Sequence, residues 1–299
     1  VRDRVATAIE WICRGYQPSP RAFAALRIVF ALKVLVFPGD LLWIAEVPAQ
    51  FYSPPPGPFL LLSGQPSPGA LIALTVVRAL AAIWLLLGWK TLWASATMTV
   101  VLLLAAGLSY SFGKVDHFIL FDLAPLACGL AGWGAAWSLD ARRRAQTTSG
   151  YPLFLFAAVV GFAMFTAAVP KAAAGWLDPA REATRYFVAR DEVAGPIPGP
   201  LGAFALSIDS SLFWKALDWV TVFAEGWLVF VVFLPGLFRL GLLLIITFHV
   251  GVFLMMGIDF FDNLYAYAAF LCLPFSRWFP ELNLLRTLTR RSREPEAVT

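Results

Sequence analysis

Stretches of about 20 mostly apolar residues, the length a helix needs to cross a hydrocarbon core roughly 30 Å thick, recur along this chain with short polar breaks between them. They lie near 22–44, 70–89, 92–112, 117–137, 152–171, 212–234 and 237–257, with a shorter eighth near 262–276 that also suits a re-entrant segment. Pro54 to Pro58, the Trp89-Lys90-Thr91 turn and Pro235-Gly236 punctuate the series. The predicted fold is therefore all-α, a polytopic integral membrane helical bundle of about eight spans. Composition excludes a soluble globular protein: 60% of the 299 residues are hydrophobic and 14% charged, against about 25% charged in an ordinary soluble domain.

The few charges carry orientation. Arg2, Arg4, Arg14 and Arg21, then Lys90, Arg142 to Arg144, Arg239, and finally Arg277, Arg286, Arg290, Arg291 and Arg293 fall on one side. That side thus holds most of the 23 basic residues. The opposite connections hold Glu46, Asp116, Asp178, Glu182, Asp191, Glu192, Asp209, Asp259 and Asp262. By the positive-inside rule both termini are cytoplasmic and the acidic loops lie outside, as in a multi-pass plasma (inner) membrane protein. Read this way, the formal net charge of +4 reports topology, and nucleic acid is not an expected partner. The long outer connections 45–69 and 172–211 are expected to fold back as partly helical caps. One membrane domain over 1–280 and a basic cytoplasmic tail over 281–299 complete the expected organisation. The charged first twenty residues argue against a cleavable signal peptide. Cys13, Cys128 and Cys272 have no metal or disulfide spacing, and no nucleotide or metal motif occurs.

Charges inside spans cost about 2.5–3.5 kcal/mol each on insertion scales, so each marks a candidate site. Arg27 and Lys215 stand close enough to an interface to snorkel. Asp218 and Glu225, seven apart on one helical face, are candidates to neutralise Arg78 or Lys33. His117, beside Asp116 and shortly before Asp122, and His249 both point to the outer half of the bilayer, as core histidines bonded to backbone or as polar groups of a cavity. Lys171 follows Pro170 at an outer span end with no acidic neighbour before Asp178. It reads either as a snorkelling helix-end lysine or as a desolvated amine, and a neutral amine is a usable base.

An ordered set of pieces resembles the HTTM family, the transmembrane domain shared with vitamin K-dependent gamma-glutamyl carboxylases. These are Leu26-Arg27-Ile28, the His117 segment, Trp137-Ser138-Leu139-Asp140, Lys171 followed by Trp176, Phe248-His249, and the tract ending Phe270-Leu271-Cys272-Leu273-Pro274-Phe275. The resemblance implies a reduced naphthoquinone cofactor of vitamin K or menaquinone type, whose reaction with oxygen yields an epoxide and a strong base. It implies Lys171 as the initiating base and His117 and His249 as auxiliary catalytic groups. Trp176, Asp116 and Asp122 would lie beside the cofactor. Membrane lipids and a peptide or protein substrate at the outer face are the partners it implies, with no metal or nucleotide. The same residues also suit a non-enzymatic membrane protein that binds a lipid, quinone or peptide, or serves as an assembly subunit. A transporter is less favoured, because no inverted repeat is visible.

Overall fold

The structure is a computed structural model that describes residues 2–54, 57–62, 64–112, 117–195 and 197–282. Among these the fold is all-helical. In chain order the helices are α1 Arg2–Tyr16, α2 Pro20–Val36, α3 Trp43–Glu46, α4 Pro68–Leu87, α5 Thr91–Tyr110, α6 Ile119–Leu130 and α7 Leu139–Arg143. They continue with α8 Tyr151–Ala173, α9 Ala183–Ala194, α10 Gly202–Leu206, α11 Ser211–Val231, α12 Pro235–Met256 and α13 Phe261–Ala268. Four of them, α4, α5, α8 and α12, are long and apolar enough to cross a membrane. The long connections are partly helical, carrying α3 and two 3-10 turns in the first and α9 and α10 in the second. The tail from residue 283 lies outside the described residues.

Three segments are shorter than the apolar pattern suggests, the first being α2, whose 17 residues end at Val36. α6 has 12 residues and α13 has 8, about 18 and 12 Å at 1.5 Å per residue, against the roughly 30 Å of a hydrocarbon core. α6 runs through Pro125, which lacks an N–H, and ends at Leu130. The adjacent Leu126 N–H is satisfied from outside its helix, donating to the Thr99 hydroxyl of α5 at 3.0 Å. Beyond α6 the chain turns at Gly132, φ +88°, and Trp137, φ +50°. In the α13 segment, Pro274 ends the apolar tract and starts a 3-10 turn.

Tertiary contacts divide the chain into two compact units. Ala157–Leu264, with the segments up to Tyr16 and from Pro274, forms the first; Gln17–Phe156 with Tyr265–Leu273 forms the second. In the second, Phe30 stacks on Phe121 at 4.6 Å and meets Tyr265 edge-on at 6.2 Å, while Trp133 packs against Phe23 and Phe30. α4 begins at the Ser67 cap and stops at Gly88, φ +65°. α5 is capped by a residue far along the chain: the Asp140 carboxylate accepts from the Lys90 N–H at 2.8 Å, the Thr91 N–H at 2.6 Å and the Thr91 hydroxyl at 2.8 Å. Partial burial pushes this carboxyl up, but the Thr91 and Lys90 hydrogen bonds outweigh it and hold the group below the usual carboxylate range.

Arg27 does not snorkel. It is fully buried and donates to the carbonyls of Leu85 at 3.3 Å and Trp137 at 2.5 Å. Arg78 takes no carboxylate either, but donates to the Gly39 carbonyl at 2.8 Å. In the first unit, fully buried Arg239 donates to the Trp278 carbonyl at 2.7 Å and to that of Gly15. The forked guanidinium suits this use, because its several donors can satisfy carbonyls left open at helix ends and turns.

The core of the first unit places α8 against α11. A Cβ at Gly161 would lie 3.0 Å from the Val229 Cα, and one at Gly226 would lie 3.5 Å from the Ala168 Cβ. Small residues let the two backbones approach closely, the packing device of helices that cannot rely on a hydrophobic driving force. Further along, Trp214 is fully buried with Val188 and Ala205, which seats α9 and α10 over the start of α11.

Candidate functional site

The α8–α11 seam brings together two charges that are 54 residues apart. Lys171, in the last turn of α8, places its Nζ 2.6 Å from Oε1 and 2.5 Å from Oε2 of Glu225 on α11. The Glu225 side chain is 6% exposed and that of Lys171 26%. Burial of this kind demands a counter-charge, since an isolated ion in low dielectric costs several kcal/mol.

Gly175 dictates the course of the chain after α8. Its φ of +88° is open to glycine and strained for other residues, and it turns the chain back so that the Trp176 N–H donates to the Lys171 carbonyl at 3.2 Å. The indole therefore returns to the lysine, with its ring 5.8 Å from Nζ, and stacks on Phe187 of α9 at 5.5 Å. The Trp176 carbonyl accepts from Lys215 Nζ at 3.1 Å. Lys215 also donates to Asp218 at 2.8 Å. Asp218, fully buried, accepts from the backbone N–H groups of Ala183 at 3.1 Å and Thr184 at 2.7 Å, capping the start of α9. Glu225, Lys171, Trp176, Lys215 and Asp218 thus form one connected polar chain with two cations and two carboxylates.

This arrangement revises the partner assignments made from helical spacing. Asp218 and Glu225 do share a face of α11, but they take Lys215 and Lys171 instead of Arg78 or Lys33. Lys215 does not snorkel: Asp218 and a main-chain carbonyl replace water around its ammonium. Lys171 is not a lone amine in an apolar cavity, because Glu225 faces it. The signal available in the sequence was the surplus itself, two acids inside a hydrophobic run with cations needed to match them. The Lys215–Asp218 pair is local, three residues apart on α11, whereas the Lys171–Glu225 pair depends on the glycine seam and nothing local encodes it.

The remaining candidates fall elsewhere. His249 of α12 is buried and stacks on Phe260 at 4.4 Å. α11 and α12 run antiparallel from a short turn, with Glu225 six residues before Val231 and His249 fourteen after Pro235. The two side chains therefore stand about 12 Å apart along the helix axes, and Lys171 does not bond His249. His117, just before α6, and Asp122, buried in its first turn, belong to the other unit. Asp116 lies outside the described residues. Among the described residues, no three His, Cys, Asp or Glu side chains gather as a metal ion would require.

No protein-family model matches the chain, and no curated protein or solved structure matches it.

Proposed function

We propose that this is a multi-pass protein of the plasma (inner) membrane with about eight spans and cytoplasmic termini, of the HTTM type, carrying a carboxylase-like acid–base centre at Lys171. The observation that carries the reading is the two-oxygen contact of Lys171 with Glu225 beside the stacked Trp176 and Phe187 rings. A reduced naphthoquinone, when bound, supplies an acidic ring hydroxyl and the electrons for reaction with oxygen. The residues present fit such a group: Trp176 and Phe187 form an aromatic stack next to an ammonium, and a quarter of the Lys171 side chain remains accessible. Trp176 would hold the ring.

An ammonium cannot accept a proton, so Lys171 needs somewhere to place one. Both Glu225 oxygens lie within hydrogen-bond reach of Nζ. Proton transfer to Glu225 leaves the amine free to act as a base. In this reading Glu225 is the proton partner of Lys171, and Lys215 and Asp218 keep the Trp176 turn in place. The acidic outer connections and the basic opposite side support the topology.

The test uses purified protein in lipid nanodiscs, given menaquinol-type naphthoquinol anaerobically and then oxygen. Oxygen uptake and epoxide formation are expected in the wild type and absent in Lys171→Met. No epoxide and no Lys171-dependent uptake would overturn the enzyme reading.

One observation favours a second reading, a non-enzymatic membrane protein binding a lipid, quinone or peptide, or acting as an assembly subunit. Each member of the Lys171–Glu225 pair satisfies the other across a tight helix seam, which also describes a fastener between α8 and α11. On that reading the wild type takes up no oxygen, and Lys171→Met changes stability alone.

A further inference from the structure

Away from the Lys171 cluster, a cavity of about 590 Å³ opens between the end of α4 and the α7 turn, lined by Leu86, Leu87, Trp137, Leu139 and Arg142 among others. Its volume falls within the roughly 300–1,000 Å³ of ligand sites. Its lining combines three leucines, one indole and one guanidinium.

That guanidinium has no counter-charge among the described residues. Arg142 is exposed, and its side chain makes no hydrogen bond or ion pair with any of them. The one acid in the segment, Asp140, is committed to capping α5 through Lys90 and Thr91. Arg143 and Arg144 follow directly, and Lys90 stands over the Trp89 ring at 5.4 Å. The local field is therefore positive.

Trp137 is held outward at a cost. It has φ +50°, a conformation unfavourable for a bulky residue, and it keeps 60% of its surface exposed. Fully buried Arg27 pins its carbonyl at 2.5 Å. Trp93 is also exposed, and Trp84 and Trp89 pack together, the aromatic pattern of a membrane–water interface. From the cavity, an exposed apolar stripe runs along α4 through Leu87, Ile83, Leu80, Val76 and Ile72. This spacing of three and four residues keeps one face of the helix.

We infer that this cavity binds one anionic glycerophospholipid, with its phosphate at Arg142, its glycerol region against Trp137 and an acyl chain along the α4 stripe. Charge complementarity selects the anionic headgroup, because a zwitterionic lipid brings its own cation to an already positive mouth. The inference rests on the membrane reading of α4 and is independent of the quinone chemistry.

The test is native mass spectrometry of the full chain released from mixed micelles containing equal amounts of phosphatidylglycerol and phosphatidylcholine. The wild type is expected to retain one phosphatidylglycerol in preference to phosphatidylcholine. Loss of the charge-assisted contact in Arg142→Ala should lower that retention about tenfold, with Arg142→Glu lower still and Arg144→Ala unchanged. Far-UV circular dichroism checks that all three variants keep wild-type helix content. Equal retention of both lipids, or undiminished phosphatidylglycerol retention in Arg142→Ala and Arg142→Glu, would overturn the inference. Displacement of the lipid by millimolar inorganic phosphate would overturn it in favour of a free-phosphate site. A protein that stays monodisperse in water without detergent would instead sink the membrane reading beneath it.

Discussion

Lys171→Met removes the cation from a carboxylate whose side chain is 6% exposed. Breaking a buried pair from one side costs about 3–5 kcal/mol, because the remaining charge is left without compensation. Here the lysine side of the pair is 26% exposed, so water reaches part of the site and about 3 kcal/mol is expected. Glu225→Gln is milder: the amide oxygen still accepts from the ammonium, which can also lean toward water, for a loss of about 1–2 kcal/mol. The double variant Lys171→Met/Glu225→Gln leaves neither charge buried and should also stand about 1–2 kcal/mol below wild type. The cycle then closes with a coupling of about 3 kcal/mol. For comparison, two unit charges 4 Å apart attract by about 4 kcal/mol at an effective dielectric of 20, before the cost of desolvation. Reversible unfolding in mixed micelles, followed by far-UV circular dichroism at pH 7, measures all four proteins. Because the pair is largely buried, the coupling should persist at high salt. Additive single variants, with a coupling below about 0.5 kcal/mol, would refute the claim that Lys171 and Glu225 act as a unit, and the proton-partner role of Glu225 with it.

Asp140→Ala should cost about 1–2 kcal/mol at pH 7 by uncapping α5, read as a lowered unfolding midpoint. The folded carboxyl is held below its ordinary value, so its contribution is complete above the ordinary carboxylate range and disappears as pH falls through the lower folded value. The wild-type and variant midpoints should therefore converge in acid, and a gap constant with pH would contradict the capping argument. For topology, single cysteines at Arg144 and Asp178 in a background lacking Cys13, Cys128 and Cys272 should react with a membrane-impermeant maleimide from opposite sides of sealed vesicles. Labelling from the same side would reverse the proposed orientation.

Much of the helix layout was legible because apolar run length and Gly or Pro punctuation are local. Gly88 and Gly257 end α4 and α12 in left-handed caps, and Pro68 and Pro235 begin them, where a missing N–H does no harm. The limit of local reading appears at α6 and α13. There the residues are apolar enough for a span, but α6 ends at Leu130 just before the left-handed turn at Gly132 and α13 ends at Ala268, and hydropathy weighs side chains without regard to backbone conformation.

The candidate site was half legible. Lys171 is visible in the chain as an ionisable group at a span end, and Trp176 only through the resemblance. Glu225 was visible as a costly buried acid, but its partner was assigned to the wrong cation. Arg27 and Lys215, read as snorkelling, are buried instead, since carbonyls of Leu85, Trp137 and Trp176 and the Asp218 carboxylate stand in for water.

Composition and periodicity thus dictated an apolar helical protein with few charges, because insertion energies act residue by residue. The pairing of Lys171 with Glu225 waited on packing. Gly161 and Gly226 set how closely α8 meets α11, Gly175 sets where Trp176 returns, and a Coulomb interaction that falls with distance takes its strength from those approaches. A glycine announces that two backbones can come close, but the neighbour it admits is known only once the helices are packed.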